Sequence, residues 1–124
     1  MELSINTREH QGATVFDLSG RIVAGPECDS LRTKIKDLLA SNQKKIILNL
    51  ADVSRVDSSG IGSLVEAVII TAKQGGQFKL VNVPRLVHNI LVTHRLLQAF
   101  DIYPSEEVAL ASFETPTQQP TGER

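Results

Sequence analysis

Asp57, Ser58 and Ser59, followed by Gly60 and Gly62, are the residues whose types and spacing could do chemistry. A carboxylate and two hydroxyls stand where an apolar run, Ile46 to Leu50, and a short polar connection give way to a long apolar-periodic segment. That order reads as a buried strand, a tight loop and a helix start. The first backbone N–H groups of a helix have no internal partner, and the positive end of its dipole points into such a corner. An anion there is stabilised by roughly 0.3–1 kcal/mol in an exposed site. A phosphate could be held there, as a ligand or as phosphoserine.

Ordinary capping explains part of the same pattern, because Asp57 and Ser58 are both favoured N-cap types. The glycines ask for more. Gly60 and Gly62 fall in the first turns of the expected helix, where each costs roughly 1 kcal/mol against alanine. Close approach of another molecule to the backbone would offset that cost. Ser58 and Gly62 are four residues apart and share a helical face. Ser59, Ser63, Glu66, Ile70 and Lys73 form a neighbouring stripe expected to face away from the core, with Ile70 apolar where a polar residue is expected.

Catalysis finds little support. A nucleophilic Ser58 needs a base, and spacing places none of His10, His88 or His94 beside it. There is no G-x-S-x-G elbow around Ser58 and no G-x-x-x-x-G-K-[ST] phosphate loop. His88 and His94 are six apart, not the four that sets two metal ligands on one helical face. The sequence therefore gives no catalytic residue, no metal ligand and no cofactor, and it reads as a non-enzyme.

The elements that must position the corner follow from periodicity. Residues 2–8 alternate, with Leu3 and Ile5 on one side, as in a half-buried strand. Glu9-His10-Gln11-Gly12 marks a hairpin turn, and Ala13 to Leu18 a second strand that Gly20 ends. A helix is expected from Asp29 or Ser30, with Leu31, Ile35, Leu38 and Leu39 inward. Strand 46–50 then feeds the helix after Asp57. Its apolar set is Ile61, Leu64, Val65, Val68, Ile69 and Ala72, and Gly75-Gly76 end it. Phe78 to Val83 reads as a strand, and Pro84 opens a helix with Leu86, Val87, Ile90 and Leu91 inward. Phe100 to Tyr103 gives a last short strand and Val108 to Phe113 a terminal helix. Residues 114–124 hold Thr, Pro, Gln and Gly without a large apolar side chain and are expected to be a disordered tail. A hairpin followed by strand–helix alternation predicts a mostly parallel sheet with an antiparallel edge pair, its partners meeting the corner outside the strands' carboxyl ends.

Composition sets the outer limits. The chain has 124 residues, enough for one domain around one core. A net charge of -1 gives no electrostatic case for nucleic acid or an anionic membrane surface. Cys28 is the sole cysteine, which excludes an intrachain disulfide and a cysteine zinc cage and fits a reducing compartment. No signal peptide is visible after Met1, and no apolar run approaches the roughly 18 residues of a membrane span. A cytoplasmic protein is expected.

Asn49-Leu50-Ala51-Asp52-Val53, then Val56-Asp57-Ser58-Ser59-Gly60-Ile61-Gly62-Ser63-Leu64, resembles the signature of the STAS domain, and more narrowly that of bacterial anti-sigma factor antagonists. Gly20, the strand 44–50, Gly75-Gly76 and the strand 78–83 fall where that family has them, and the similarity runs from the first strand through the helix near 106–113. The resemblance implies an α/β STAS-like single domain over residues 1–113, with a mixed, mostly parallel sheet of about five strands and about four helices. It implies partner switching as well. The unphosphorylated antagonist binds an anti-sigma factor that is also a serine kinase, which frees the sigma factor for transcription. The kinase then phosphorylates Ser58 and the complex dissociates, and a phosphatase restores the antagonist. Asp57, Ser59, Gly60, Gly62, Ser63 and Glu66 would form the partner surface. A factor of ten in affinity is about 1.4 kcal/mol, so roughly 3 kcal/mol of repulsion suffices for a hundredfold switch.

One departure stands out. Many antagonists have G-E-L-D after the second strand, where this chain has Gly20-Arg21-Ile22-Val23. The family's aspartate, expected near the phosphorylated corner, becomes Val23. That leaves room for a second reading, a STAS scaffold or accessory subunit of a signalling or transport complex without a phosphoswitch. A nucleotide-binding protein or enzyme using the helix N-terminus is a third. The sequence does not specify the oligomeric state, the sigma factor or the stimulus.

Overall fold

The computed structural model describes residues 3–113. Its first two strands, β1 (Leu3–His10) and β2 (Ala13–Ile22), form an antiparallel hairpin. The turn is only Gln11-Gly12, both with positive φ (54° and 85°), the backbone twist that suits two-residue hairpins. β2 does not stop at Gly20 as expected. Gly20 takes φ 100° and the register against the next strand slips on either side of Ser19-Gly20, so the glycine serves an irregular, bulged stretch and the strand continues to Ile22.

Helix α1 (Pro26–Ala40) begins three residues before Asp29. Gly25-Pro26 has the composition of a turn but instead opens this helix. Proline sits in the first helical turn, where its missing N–H costs nothing, and Glu27 and Asp29 lie near the positive end of the dipole. Leu31, Ile35 and Leu39 are buried as expected, and Cys28 joins them.

Strand β3 (Lys45–Val56) is the longest and the largest departure from expectation, since 51–56 read as a polar connection. Beyond Asn49 it pairs only with β2, because β4 (Gln77–Val81) reaches no further than Asn49 opposite Val81. The remaining elements are α2 (Ser58–Lys73), α3 (Arg85–Thr93), a single 3₁₀ turn at Leu97–Ala99, β5 (Asp101–Tyr103) and α4 (Glu106–Phe113). The strands lie in the order β1-β2-β3-β4-β5, and all pairs but the first are parallel. The expected element order and mixed sheet are those observed. The tail expected at 114–124 lies outside the described residues.

Each face of the sheet is covered, which explains the consecutive apolar residues in its central strands. Phe16, Leu18, Ile46, Leu48 and Leu80 meet Leu31, Ile35, Leu64, Val87 and Leu91 of α1, α2 and α3. Val15, Ile47 and Val81 point the other way and are covered by Ala109, Leu110 and Phe113 of α4. Leu86 of α3 is exposed rather than inward, because Val87 and Leu91 already fill the contact with the sheet.

The α4 side is held by a polar network. The Arg8 guanidinium donates to Asp17 at 2.6 and 3.1 Å and to Glu106 at 2.6 and 2.9 Å. His10 Nδ1 also meets Glu106, and Asn49 donates to Asp17 at 2.8 Å. The guanidinium, above all, holds the carboxyls of Glu106 and Asp17 below their ordinary values.

Candidate functional site

The corner between β3 and α2 is built around Asp57. It caps α2 from an extended conformation, and its Oδ1 accepts from the Gly60 backbone N–H at 2.8 Å. Its Oδ2 accepts from the Ala24 N–H at 3.3 Å, which ties the cap to the loop leading into α1. Its own N–H donates to the Ile22 carbonyl at 3.2 Å. The Gly60 N–H, first of all, lowers the Asp57 carboxyl below the usual carboxylate range; the N–H groups of Ala24 and Ser59 and the Arg55 charge add to the effect against a partial loss of hydration. Asp57 is therefore anionic at neutral pH, and the ambiguity over which residue caps the helix is resolved in its favour. The Gly60 donor of the helix's first turn is already engaged by this carboxylate. A phosphate at the corner would meet a fixed negative charge, not an empty cradle.

Ser58 and Ser59 are the first two residues of α2 and both are exposed. They face different ways. Ser59 lines an open groove of about 550 Å³ between α1 and α2, together with Gly62, Ser63 and Glu66. Ser58 is not part of that groove. The two hydroxyls are thus inequivalent in space.

The two glycines are equally unlike. A Cβ on Gly60 would lie 2.0 Å from the Ile22 carbonyl oxygen and 2.9 Å from its carbon. Gly60 is buried, and its smallness serves the chain's own packing of α2 against the end of β2. The close approach that this glycine allows is to the chain's own backbone at Ile22. A Cβ on Gly62 would meet nothing within 4 Å, and Gly62 is exposed.

The stripe expected to face away from the core faces α1 instead. Ser63 is buried, with its Oγ 2.9 Å from Cys28 Sγ and 3.3 Å from Arg32 Nη1. Ile70 is half-buried against the core, so it is no apolar intruder on a polar surface. The buried face of α2 runs through Gly60, Ile61, Ser63, Leu64, Ala67 and Thr71. Ile69 and Ala72, expected inward, are exposed. Apolar residues occupy most sides of this helix, so periodicity fits two faces. The small residues that allow close packing carry little hydropathic signal.

The groove also brings in residues that the sequence reading did not select. Arg32 donates to Asp29 Oδ1 at 2.7 Å and lies 3.5 Å from Glu66 Oε1, so it joins the rims contributed by α1 and α2. Asp29 and Arg32 are an i, i+3 pair, the only local signal that could have marked them. Among the described residues, no group of three or more His, Cys, Asp or Glu is placed to hold a metal ion. No helix among them is long and apolar enough to cross a membrane.

Comparison with known proteins places this geometry. The family model of the STAS domain matches residues 4–109. An anti-sigma F factor antagonist of Paenibacillus polymyxa is 28% identical over 115 residues, covering 92% of this chain and 97% of the relative. A crystal structure of an anti-sigma factor antagonist from Mycobacterium paratuberculosis superposes with a TM-score of 0.78 at 21% identity, covering 91% of this chain and 95% of that one. The phosphorylated form of the Bacillus cell fate determinant SpoIIAA has a TM-score of 0.70 at 20% identity, with coverage of 89% and 99%.

Proposed function

The chain belongs to the STAS domain family, and from that premise we propose that it is an anti-sigma factor antagonist switched off by phosphorylation of Ser58. Its partner in this reading is an anti-sigma factor that is also a serine kinase. Binding of the unphosphorylated protein frees a sigma factor for transcription. A phosphatase reverses the modification, and the exchange takes place in the cytoplasm. The STAS unit is residues 1–113.

The observation that carries the reading is the setting of Ser58. Its hydroxyl is exposed on the first turn of α2, directly after a carboxylate that is locked in place by backbone donors. A phosphate there adds about -1.5 to -2 charges beside Asp57. The Gly60 N–H, 2.8 Å from the Asp57 carboxylate, is already committed to that charge. The added charge is therefore directed outward, at whatever docks on the corner. Like-charge juxtaposition across an interface costs several kcal/mol. The domain needs no rearrangement for such a switch, because the corner is already ordered by Asp57, Ala24 and Ile22.

The names of the relatives support the same reading: one is an anti-sigma F factor antagonist, and one fold neighbour is described in a phosphorylated form. The test is to recover the bound kinase from native lysate, purify it, and incubate it with this protein and ATP. Phosphosite mapping is expected to find the label on Ser58 and to lose it in Ser58→Ala. Labelling that persists in Ser58→Ala overturns the site.

A further inference from the structure

The half of β3 that leads to the Asp57-Ser58 corner carries two more residues than the strand beside it. From the pair Asp17–Asn49 to the pair Ile22–Val56, β2 advances five residues and β3 seven. Leu50 and Ala51 together oppose Leu18, and Ser54 falls between the partners of Gly20 and Arg21. These are two β-bulges, a device that is rare between parallel strands and common beside functional sites. Each slip changes which residues face the core, from Leu48 and Leu50 to Val53 and then to Val56. The two slips cancel in facing and add in length. In an unbroken register Ile22 would stand opposite Ser54, and at about 3.3 Å per residue the corner would lie roughly 7 Å further along. The extra residues bring it back to Ile22, whose carbonyl accepts the Asp57 N–H at 3.2 Å and rests against Gly60.

One polar side chain of β3 pins each bulge. At the first, the Ala51 N–H donates to Asn49 Oδ1 at 3.1 Å, a side-chain acceptor at a point where the ladder is interrupted. The Asn49 carboxamide is itself held from both flanks: it donates to Asp17 Oδ1 of β2 at 2.8 Å and accepts from Asn82 Nδ2, just past β4, at 3.0 Å. At the second, the Ser54 hydroxyl donates to the Gly20 carbonyl at 3.2 Å, and Gly20 takes the φ of 100° that the irregular stretch uses. Neither side chain belongs to the core: Asn49 is half-buried and Ser54 exposed.

We propose that Asn49 and Ser54 are positioning residues of the Ser58 switch: they hold the two bulges of β3 and so set where the Ser58 hydroxyl stands when a kinase takes it. The inference rests on the reading that Ser58 is the phosphorylated residue. Neither side chain touches the reacting hydroxyl. Each acts through the strand, because both contacts that seat the corner on β2, Asp57 N–H and the Gly60 backbone, are made to Ile22 and need the two-residue offset. A displacement of about 1 Å at a reacting group can cost a hundredfold in rate, so a strand end that slides or frays by a fraction of one residue is enough to slow the transfer.

The test compares Asn49→Ala, Ser54→Ala and Ser54→Thr with the wild-type protein, and circular dichroism is expected to show all four folded. In the protein alone, amide hydrogen exchange at Ala51 is expected to quicken about tenfold in Asn49→Ala. The Asp57 and Gly60 amide resonances are expected to shift in both alanine variants. With the purified kinase and ATP, the rate of Ser58 labelling is expected to fall about tenfold or more in both alanine variants. Ser54→Thr, which keeps a hydroxyl for the Gly20 carbonyl, is expected to be labelled as fast as wild type. Wild-type resonances and wild-type labelling in both alanine variants overturn the positioning role and leave the Ser58 reading intact. Labelling of Ser54→Thr as slow as that of Ser54→Ala overturns the part assigned to the Ser54 hydroxyl. A wild-type protein that the kinase never labels on Ser58 overturns the Ser58 reading, and with it the role of the bulges in the switch.

Discussion

The Gly60 backbone rests on the Ile22 carbonyl, so closely that a Cβ at position 60 would stand 2.0 Å from that oxygen. This contact joins the first turn of α2 to the end of β2 and fixes the height of the Asp57-Ser58 corner. Backbone presses on backbone, so no flexible side chain can yield. Gly60→Ala is expected to destabilise the protein by roughly 1–3 kcal/mol, the cost of overpacking. Gly62→Ala is expected to do the opposite and stabilise it by up to about 1 kcal/mol. Urea denaturation of the two variants checks the pair. Equal effects would mean that the two glycines are not distinguished by their surroundings.

Asp57 is expected to matter to the fold before it matters to any partner. Asp57→Ala removes the acceptor for the Gly60 and Ala24 N–H groups and is expected to lower the thermal midpoint. Asp57→Asn keeps a side-chain oxygen for Gly60 and is expected to lose less. Differential scanning calorimetry of both variants at neutral pH measures this. A midpoint as low in Asp57→Asn as in Asp57→Ala would show that charge, not the cap hydrogen bond, is what the corner uses.

The polar clamp beneath α4 predicts an acid dependence. Glu106 and Asp17 have carboxyls held below their ordinary values in the folded protein, mainly by the Arg8 guanidinium. A carboxyl depressed on folding contributes stability above its unfolded pKa, about 4, and that contribution is lost as pH falls through the folded value. Stability is therefore expected to fall with acidification below about pH 4. Glu106→Gln is expected to be less stable than wild type by about 1–2 kcal/mol at neutral pH, allowing for partial exposure of Arg8. The gap is expected to narrow as pH falls, because protonation removes in the wild type what the substitution has already removed. A gap that stays constant across the acid range would place the effect elsewhere.

Much of this architecture is legible in the residues, and the exceptions have physical causes. The order of elements follows from turn residues and apolar runs, as at Gln11-Gly12 and Ile46 to Leu50. The second half of β3 does not, because its buried residues Val53 and Val56 are three apart across an irregular register, where strand reading looks for a period of two. The start of α1 is hidden by Gly25-Pro26, which has the composition of a turn and here opens a helix. At the corner, Asp57 and the inequivalence of Ser58 and Ser59 are visible from sequence. The groove is not. It depends on α1 lying along α2, a long-range contact that brings Arg32 to Glu66 and Cys28 to Ser63 without any local pattern to announce it.

The most direct measurement is the affinity of the purified kinase for this protein before and after stoichiometric phosphorylation at Ser58, with Ser58→Ala as the reference that cannot be modified. Phosphorylation is expected to weaken binding about a hundredfold, equivalent to roughly 3 kcal/mol, with Ser58→Ala staying close to the unmodified protein. Equal affinity for the modified and unmodified forms would contradict a switch at Ser58.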